Sequence, residues 1–432
     1  LRTEGQAGRL GVVMTAVVVD GGNGKEYRLP TAEERRMAEE AATALDAVFA
    51  EIPFGIPDEP ITEDAKRNTW CVPYGIDRFS RLFTPRQLLA IGTLIRWLST
   101  AHHEIRNLGY PDEWQEAIVA YIAIGTDRVA ERNSSVCHYD ISRDSISGTF
   151  QRYALPMAWD FAEAIPIGTS AGSFIGQIDW ITRYLELALS FSVGNPQPKT
   201  INRSSVEANE YKVDLILTDP PYYDAIGYSV LMDFFYVWLR RSLHGLSPEL
   251  DAAFAEPLAP KWDHETGDGE LIDDASRFDG DSERSKAAYE DGMARVFQNC
   301  YQALTPEGRL VIVFAHKHPD AWETLVSAII RAGFIVTGSW PIETEMGNRT
   351  RALSSAALAS SVWLVCKKRP ATARPGWDNR VLEEMRVLIT ERLRDFWDAG
   401  IRGPDFVWAA TGPAMEAYSQ YPVVKKADEP GQ

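Results

Sequence analysis

The chain has 432 residues, 45% of them hydrophobic and 11% aromatic, which is enough apolar material to bury a large core. No apolar run reaches the ~18 residues of a membrane span, and four widely spaced cysteines without a C-x-x-C pair exclude a disulfide scaffold and a self-contained zinc ribbon. A net charge of −17 weighs against a protein that binds polyanions by bulk charge, so any nucleic-acid contact must rest on local groups, and a cytoplasmic setting is expected.

Residues 12–20 and 25–29 flank Gly21-Gly22-Asn23-Gly24, a strong hairpin turn. Thr31-Ala32-Glu33-Glu34 and Thr84-Pro85-Arg86-Gln87 both have the form of a capping box, so helices are predicted to start there. Further helices are predicted over residues 112–132 and 174–191. His102-His103 and Cys137-His138 lack partners at metal-ligand spacing and are read as ordinary residues, so no metal site is expected.

The second half alternates strand and helix, the pattern of a parallel sheet with helices on its faces. Strands are predicted at residues 199–203, 213–219, 309–315, 334–340 and 360–368, at least five in all. Helices are predicted at 228–243, whose Phe234, Phe235, Tyr236 and Trp238 read as core, at 285–304, ending in the turn Thr305-Pro306-Glu307-Gly308, and at 322–332. The acidic stretch 263–283 reads as a solvated insertion or, alternatively, as a mobile flap over a substrate.

Asp219-Pro220-Pro221-Tyr222 closes the apolar run that starts at Val213, and such a tetrapeptide arises by chance in about one chain in a hundred of this length. Its chemistry suits an exocyclic amine, whose lone pair is delocalised into a ring until both N–H groups are held. Asp219 would accept one hydrogen bond and the Pro220 carbonyl the other, the two prolines would fix the backbone and remove competing donors, and Tyr222 would stack on the ring. A Pro-Pro turn that merely ends a strand is the plainer alternative.

Carboxyl ends of parallel strands are where open α/β sheets bind ligands, so Tyr223, His316 and Lys317 are further candidates for substrate contact, and residues 349–353 (RTRAL) for a phosphate grip. His316 and Lys317 leaving their strand into solvent is equally open, and a solvated loop is the default expectation at 349–353. A glycine-rich cofactor turn after a first strand is not evident. Its weak substitute is residues 167–176 (IGTSAGSFIG), preceded by Trp159-Asp160-Phe161-Ala162-Glu163, which makes Asp160, Glu163 and Gly172 cofactor candidates; a helix-entry loop explains the same residues.

Several segments together resemble the adenine-specific DNA methylases that contain a Zn-ribbon. They are Leu82-Phe83-Thr84-Pro85-Arg86-Gln87-Leu88, Asn133-Ser134-Ser135, Ala154-Leu155-Pro156-Met157-Ala158-Trp159-Asp160-Phe161-Ala162-Glu163 and Thr218-Asp219-Pro220-Pro221-Tyr222-Tyr223-Asp224. The resemblance continues through Asp233-Phe234-Phe235-Tyr236-Val237-Trp238-Leu239-Arg240-Arg241, Phe314-Ala315-His316-Lys317 and Ala409-Ala410-Thr411-Gly412-Pro413-Ala414. It implies a Rossmann-like S-adenosylmethionine-dependent methyltransferase sheet and methyl transfer to adenine in DNA.

The chain departs from that family in lacking its cofactor loop, first two strands and cysteine ribbon. It starts at Leu1 with neither an initiator Met nor a signal segment, so it is expected to be processed, a piece of a longer protein, or a subunit whose partner supplies the missing strands. The expected architecture is α/β: a hairpin and helical region at 1–195, an incomplete Rossmann-like catalytic core at 196–370 and a helical segment at 371–432. Three alternatives stay open: a methyltransferase acting on cytosine or RNA, a catalytically silent DNA-binding or scaffold subunit, and, weakest because no phosphate-binding loop is evident, a generic nucleotide-binding α/β protein.

Overall fold

A computed structural model describes residues 1–63, 68–150, 153–170, 172–208, 210–224, 226–316, 318–343, 360–402, 406 and 409–426. The chain forms two compact units. One comprises Leu1–Lys199 with Gly227–Lys261, the other Thr200–Ile226 with Trp262–Gln432.

The first unit is mainly helical. Its hairpin pairs β1 (Val17–Gly21) with β2 (Gly24–Arg28), shorter at the outset than residues 12–20 suggested. Helix α1 (Ala32–Glu40) opens on a complete capping box: the Glu34 amide donates to Thr31 Oγ1 (3.2 Å) and the Thr31 amide to the Glu34 carboxylate (2.8 Å). The same reciprocal pair starts α2 (Pro85–Asn107), with Thr84 and Gln87 in the two roles and Pro85 in the first turn, where its missing N–H is no loss. Helices α3 (Asp112–Arg132), α4 (Phe174–Ser192) and α5 (Tyr228–Leu243) complete the frame.

Phe79, Leu82, Ile91, Phe234 and Trp238 are fully buried in this unit's core, so the aromatic face of α5 is packing, as read from the sequence. Trp238 lies edge-on to Phe83 (5.4 Å) and Phe234 edge-on to Phe150 (5.1 Å). This stacking draws residues 227–261 out of the expected 196–370 region into the amino-terminal unit. Arg241 fixes the end of α5: it pairs with Glu59 at 2.9 Å and also donates to the carbonyls of Gly55 (2.7 Å) and Ile56 (2.9 Å). These additional hydrogen bonds let a charge sit buried at the edge of an apolar core.

The second unit is built on a four-stranded mixed sheet in the order β3-β4-β6-β5, from β3 (Val213–Thr218), β4 (Leu304–Phe314), β5 (Phe334–Glu343) and β6 (Ser360–Lys368). β3 runs parallel to β4, while β6 is antiparallel to both β4 and β5, so three strands share one direction with a reversed strand between the last two. Residues 199–203 form no strand. They follow Pro196 and Pro198, and the polar run Asn202-Arg203-Ser204-Ser205 offers no apolar face to a sheet.

Residues 305–308 do not stand outside the sheet as a turn. Between Val213 and Leu215 the partner on β4 jumps from Leu304 to Arg309, so the Thr305-Pro306-Glu307-Gly308 segment is taken up as an irregularity within β4. Leu310, Ile312, Phe314, Phe334, Val336, Leu364 and Cys366 are completely buried between the sheet and its helices, among them α6 (Ser282–Ala303) and α7 (Pro319–Arg331).

The carboxyl-terminal residues are part of this same unit rather than a separate segment. Beyond α8 (Asp378–Asp398), helix α9 (Thr411–Ser419) packs on β5: Ser419 Oγ accepts from the Val336 amide at 2.8 Å. A Cβ on Gly412 would lie 2.1 Å from Ser339 Oγ, which explains the glycine there. No helix among the described residues is long and apolar enough to cross a membrane.

Candidate active-site turn

Asp219-Pro220-Pro221-Tyr222 leaves the carboxyl end of β3, and Phe314 and His316 leave the same end of the adjacent parallel β4, so the second unit brings these residues to one edge of its sheet. Asp219 is exposed. Its Oδ1 accepts a 2.7 Å hydrogen bond from the Tyr222 hydroxyl, so the aromatic residue of the motif folds back onto the acid. The Tyr222 ring is half-buried and meets the edge of Phe314 with centroids 5.5 Å apart.

Tyr223 has φ of 54°, a left-handed conformation that costs a non-glycine residue about 1–3 kcal/mol and persists only where its surroundings hold it. Its amide donates to the Pro221 carbonyl (3.0 Å) and to the Tyr289 hydroxyl (3.3 Å). Tyr289 in turn donates that hydroxyl to the Pro221 carbonyl (2.9 Å). On the outer side the Asp273 amide donates to the Tyr223 carbonyl (3.2 Å). Burial, with the Asp273 charge, pushes the Tyr223 phenol up, and burial does the same to Tyr289.

Tyr223 and His316, expected to face a substrate, are only 9% and 6% exposed and instead support the turn. His316 Nδ1 accepts the His318 amide at 3.1 Å, which leaves its proton on Nε2, 3.0 Å from Asp224 Oδ1. The ring stands edge-on to Tyr223, and the His316 carbonyl accepts from Trp322 Nε1 (2.9 Å). Lys317 and residues 349–353 lie outside the described residues.

The acidic stretch is exposed at residues 263–266 and 279–283 but anchored between them rather than solvated throughout. Leu271, Ile272 and Phe278 are buried within it, and Arg277 pairs with Glu270 at 2.6 Å, both side chains nearly inaccessible. Three apolar anchors and an internal cation pin a segment whose charge suggested solvation, and that pinning places Asp273 against the turn. Tyr289 and Asp273 were not singled out from sequence. The available signal was Tyr289 in the same stripe of α6 as Ser285, Met293 and Phe297, since a buried tyrosine hydroxyl requires a partner.

Asp160, Glu163 and Gly172 lie in the first unit and do not form a cofactor pocket. Both Glu163 oxygens are held by Arg86 at 2.7 Å, and Thr84 Oγ1 adds a third bond. A Cβ on Gly172 would lie 2.3 Å from that of Ala164, and Asn133 ties the two together by donating to the Gly172 carbonyl and accepting from the Ala164 amide. Asp160 is exposed. The described residues of 167–176 therefore act as a helix entry, capped where Ser173 Oγ accepts from the Gly176 amide at 3.2 Å. Cys137 sits buried between the hydroxyls of Ser134 and Thr149, and no group of three or more possible metal ligands occurs among the described residues.

The turn thus offers a solvent-facing carboxylate next to a proline carbonyl that accepts no hydrogen bond among the described residues, with an aromatic ring beside them. Such an edge can hold a planar group with two N–H donors. No family model, curated protein or solved structure matches the chain.

Proposed function

We propose that the second unit is the base-binding part of an S-adenosylmethionine-dependent DNA methyltransferase acting on the 6-amino group of adenine, in keeping with the family resemblance and a cytoplasmic setting. The observation that carries this reading is the Asp219-Pro220-Pro221-Tyr222 turn at the carboxyl end of a parallel strand, its carboxylate in solvent and its backbone locked from beneath. A flipped adenine would present its amine to Asp219 and the Pro220 carbonyl, displacing the Tyr222 hydroxyl from Asp219 and freeing that ring to stack on the base. Both N–H groups are then held, which turns the amine lone pair toward the methyl donor. Positioning carries most of the acceleration.

The described residues do not fit a bound S-adenosylmethionine: Glu163 is fully engaged by Arg86, and Gly172 is closed off by Ala164. The reading therefore requires further residues or a partner subunit to supply that pocket. Supporting this, β3 pairs with β4 on one side only among the described residues, and its Leu215 and Leu217 are 62% and 59% exposed. One more parallel strand with its helix would cover both. The same observations favour a second reading, a silent DNA-binding subunit.

Transfer of labelled methyl from S-adenosylmethionine to unmethylated DNA separates the two, run on the chain alone and with a polypeptide that completes the sheet. Incorporation into adenine is expected, lowered by Asp219→Ala about 100-fold or more. No incorporation in either setting would sink the enzymatic reading, and incorporation into cytosine or RNA would redirect it.

A further inference from the structure

We infer that Tyr289 is a positioning residue for the Asp219–Tyr222 turn: its hydroxyl occupies the Pro221 carbonyl and the Tyr223 amide together, leaving the Pro220 carbonyl as the acceptor beside Asp219. In its role toward catalysis this rests on the methyl-transfer reading; as a statement about the turn it does not.

Two adjacent proline carbonyls compete for one job. An amine held by Asp219 can reach only one of them in line, and a turn able to rock would offer either. Tyr289 removes that ambiguity. It is 1% exposed, sits on the buried face of α6 among Ser285, Met293 and Phe297, and points its one polar atom at the turn. The hydroxyl uses both its capacities, donating to Pro221 and accepting from Tyr223. Its ring meets that of Tyr223 edge-on at 5.3 Å, so the left-handed residue is gripped through ring and backbone alike. Asp273 closes the opposite side through the Tyr223 carbonyl, and the His316–Asp224 pair fixes the exit of the turn.

A residue that only fills core would be replaced by phenylalanine at little functional cost. A positioning residue would not. Tyr289→Phe keeps the ring and removes the hydroxyl, so the fold is expected to survive while the turn loosens. Hydrogen exchange of peptides covering residues 219–224 should speed up about tenfold, because the Tyr223 amide loses one of its two acceptors; the two prolines carry no amide, so the signal comes from few positions. In the completed enzyme kcat should fall about 100-fold with the KM for DNA unchanged, the signature of a displaced acceptor rather than a lost contact. Asp273→Ala keeps the backbone bond to Tyr223 but releases the Ser285 hydroxyl that anchors residue 273, so it loosens the same turn from its outer side and serves as the second variant should Tyr289→Phe not fold. Unchanged exchange, or faster exchange with wild-type kcat, overturns the inference. Wild-type protein that transfers no methyl group defeats the preceding reading instead, and the exchange result then decides the role of Tyr289 in the turn by itself.

Discussion

β3 and β4 are neighbouring parallel strands of similar composition, yet they live in different environments. Leu310, Ile312 and Phe314 of β4 are fully buried on one face of the sheet, where Ile216 of β3 packs beside Leu310; Leu215 and Leu217 of β3 lie on the other face, level with Arg309 and Val311, and are mostly exposed while Val311 is half-buried. β4 has β3 on one side and β6 on the other; β3 ends the sheet. A continuous apolar run is the signature of a strand covered on both faces and flanked on both sides. β3 therefore differs from β4 in two ways, an open edge and a thinly covered face on which Val311 and Val313 of β4 are half-buried too, and a bare apolar edge is a liability natural sheets usually blunt with charge or proline.

The largest expected effect separates the strands by stability. Ile312→Ala should cost about 2–5 kcal/mol in chemical denaturation, since a buried branched side chain leaves a cavity, whereas Leu217→Ala should stay within about 0.5 kcal/mol. A large cost at Leu217 would break the comparison by showing that something covers it. With a completing polypeptide bound, Leu217→Ala should become costly, which would sharpen it.

Hydrogen exchange offers a second, intermediate contrast. Amides of β4 should exchange only on global opening, while those β3 amides directed away from β4 should exchange at rates near those of an open chain. Protection across the whole of β3 would point to a strand already docked there.

The smallest effect concerns thiols. Cys366, paired opposite Leu310, is fully buried and should react with a thiol reagent only when the sheet opens, so it reports the covered side of β4. Cys300 is half-buried with its thiol pushed up to about 11 by burial. Because the thiolate reacts, its labelling at pH 8 should be about 100-fold slower than that of a thiol ionising near pH 9, rising about tenfold per pH unit until about pH 11. Rapid labelling of Cys366 would overturn the buried assignment of β6.

Much of this structure was legible in the chain. The two capping boxes form both of their hydrogen bonds, the hairpin turns at Gly22-Asn23, and α3, α4 and α5 lie within a residue of their predicted spans. The strand before Asp219 ends where expected. Other readings failed for identifiable reasons. The acidic stretch looked solvated because its charge outnumbers its anchors, yet Leu271, Ile272 and Phe278 outweigh that charge once Arg277 pairs internally. Glu163 and Gly172 looked like cofactor residues because an acid and a small residue before a helix serve equally well as a helix brace and a packing gap.

The sequence by itself determined where helices start, where the hairpin turns and which strand ends in the acid-proline-proline-aromatic turn. Each depends on partners within a few residues, so local spacing encodes it. Only the tertiary structure decided that Tyr222 lies on Asp219, that residues 227–261 pack with the first unit, and that Leu215 and Leu217 of β3 are left bare while Ile216 packs beside Leu310. Tyr289 reaches Pro221 across 68 positions and His316 reaches Asp224 across 92. Contacts at that separation follow from how the sheet and its helices fill space, and no local pattern records them.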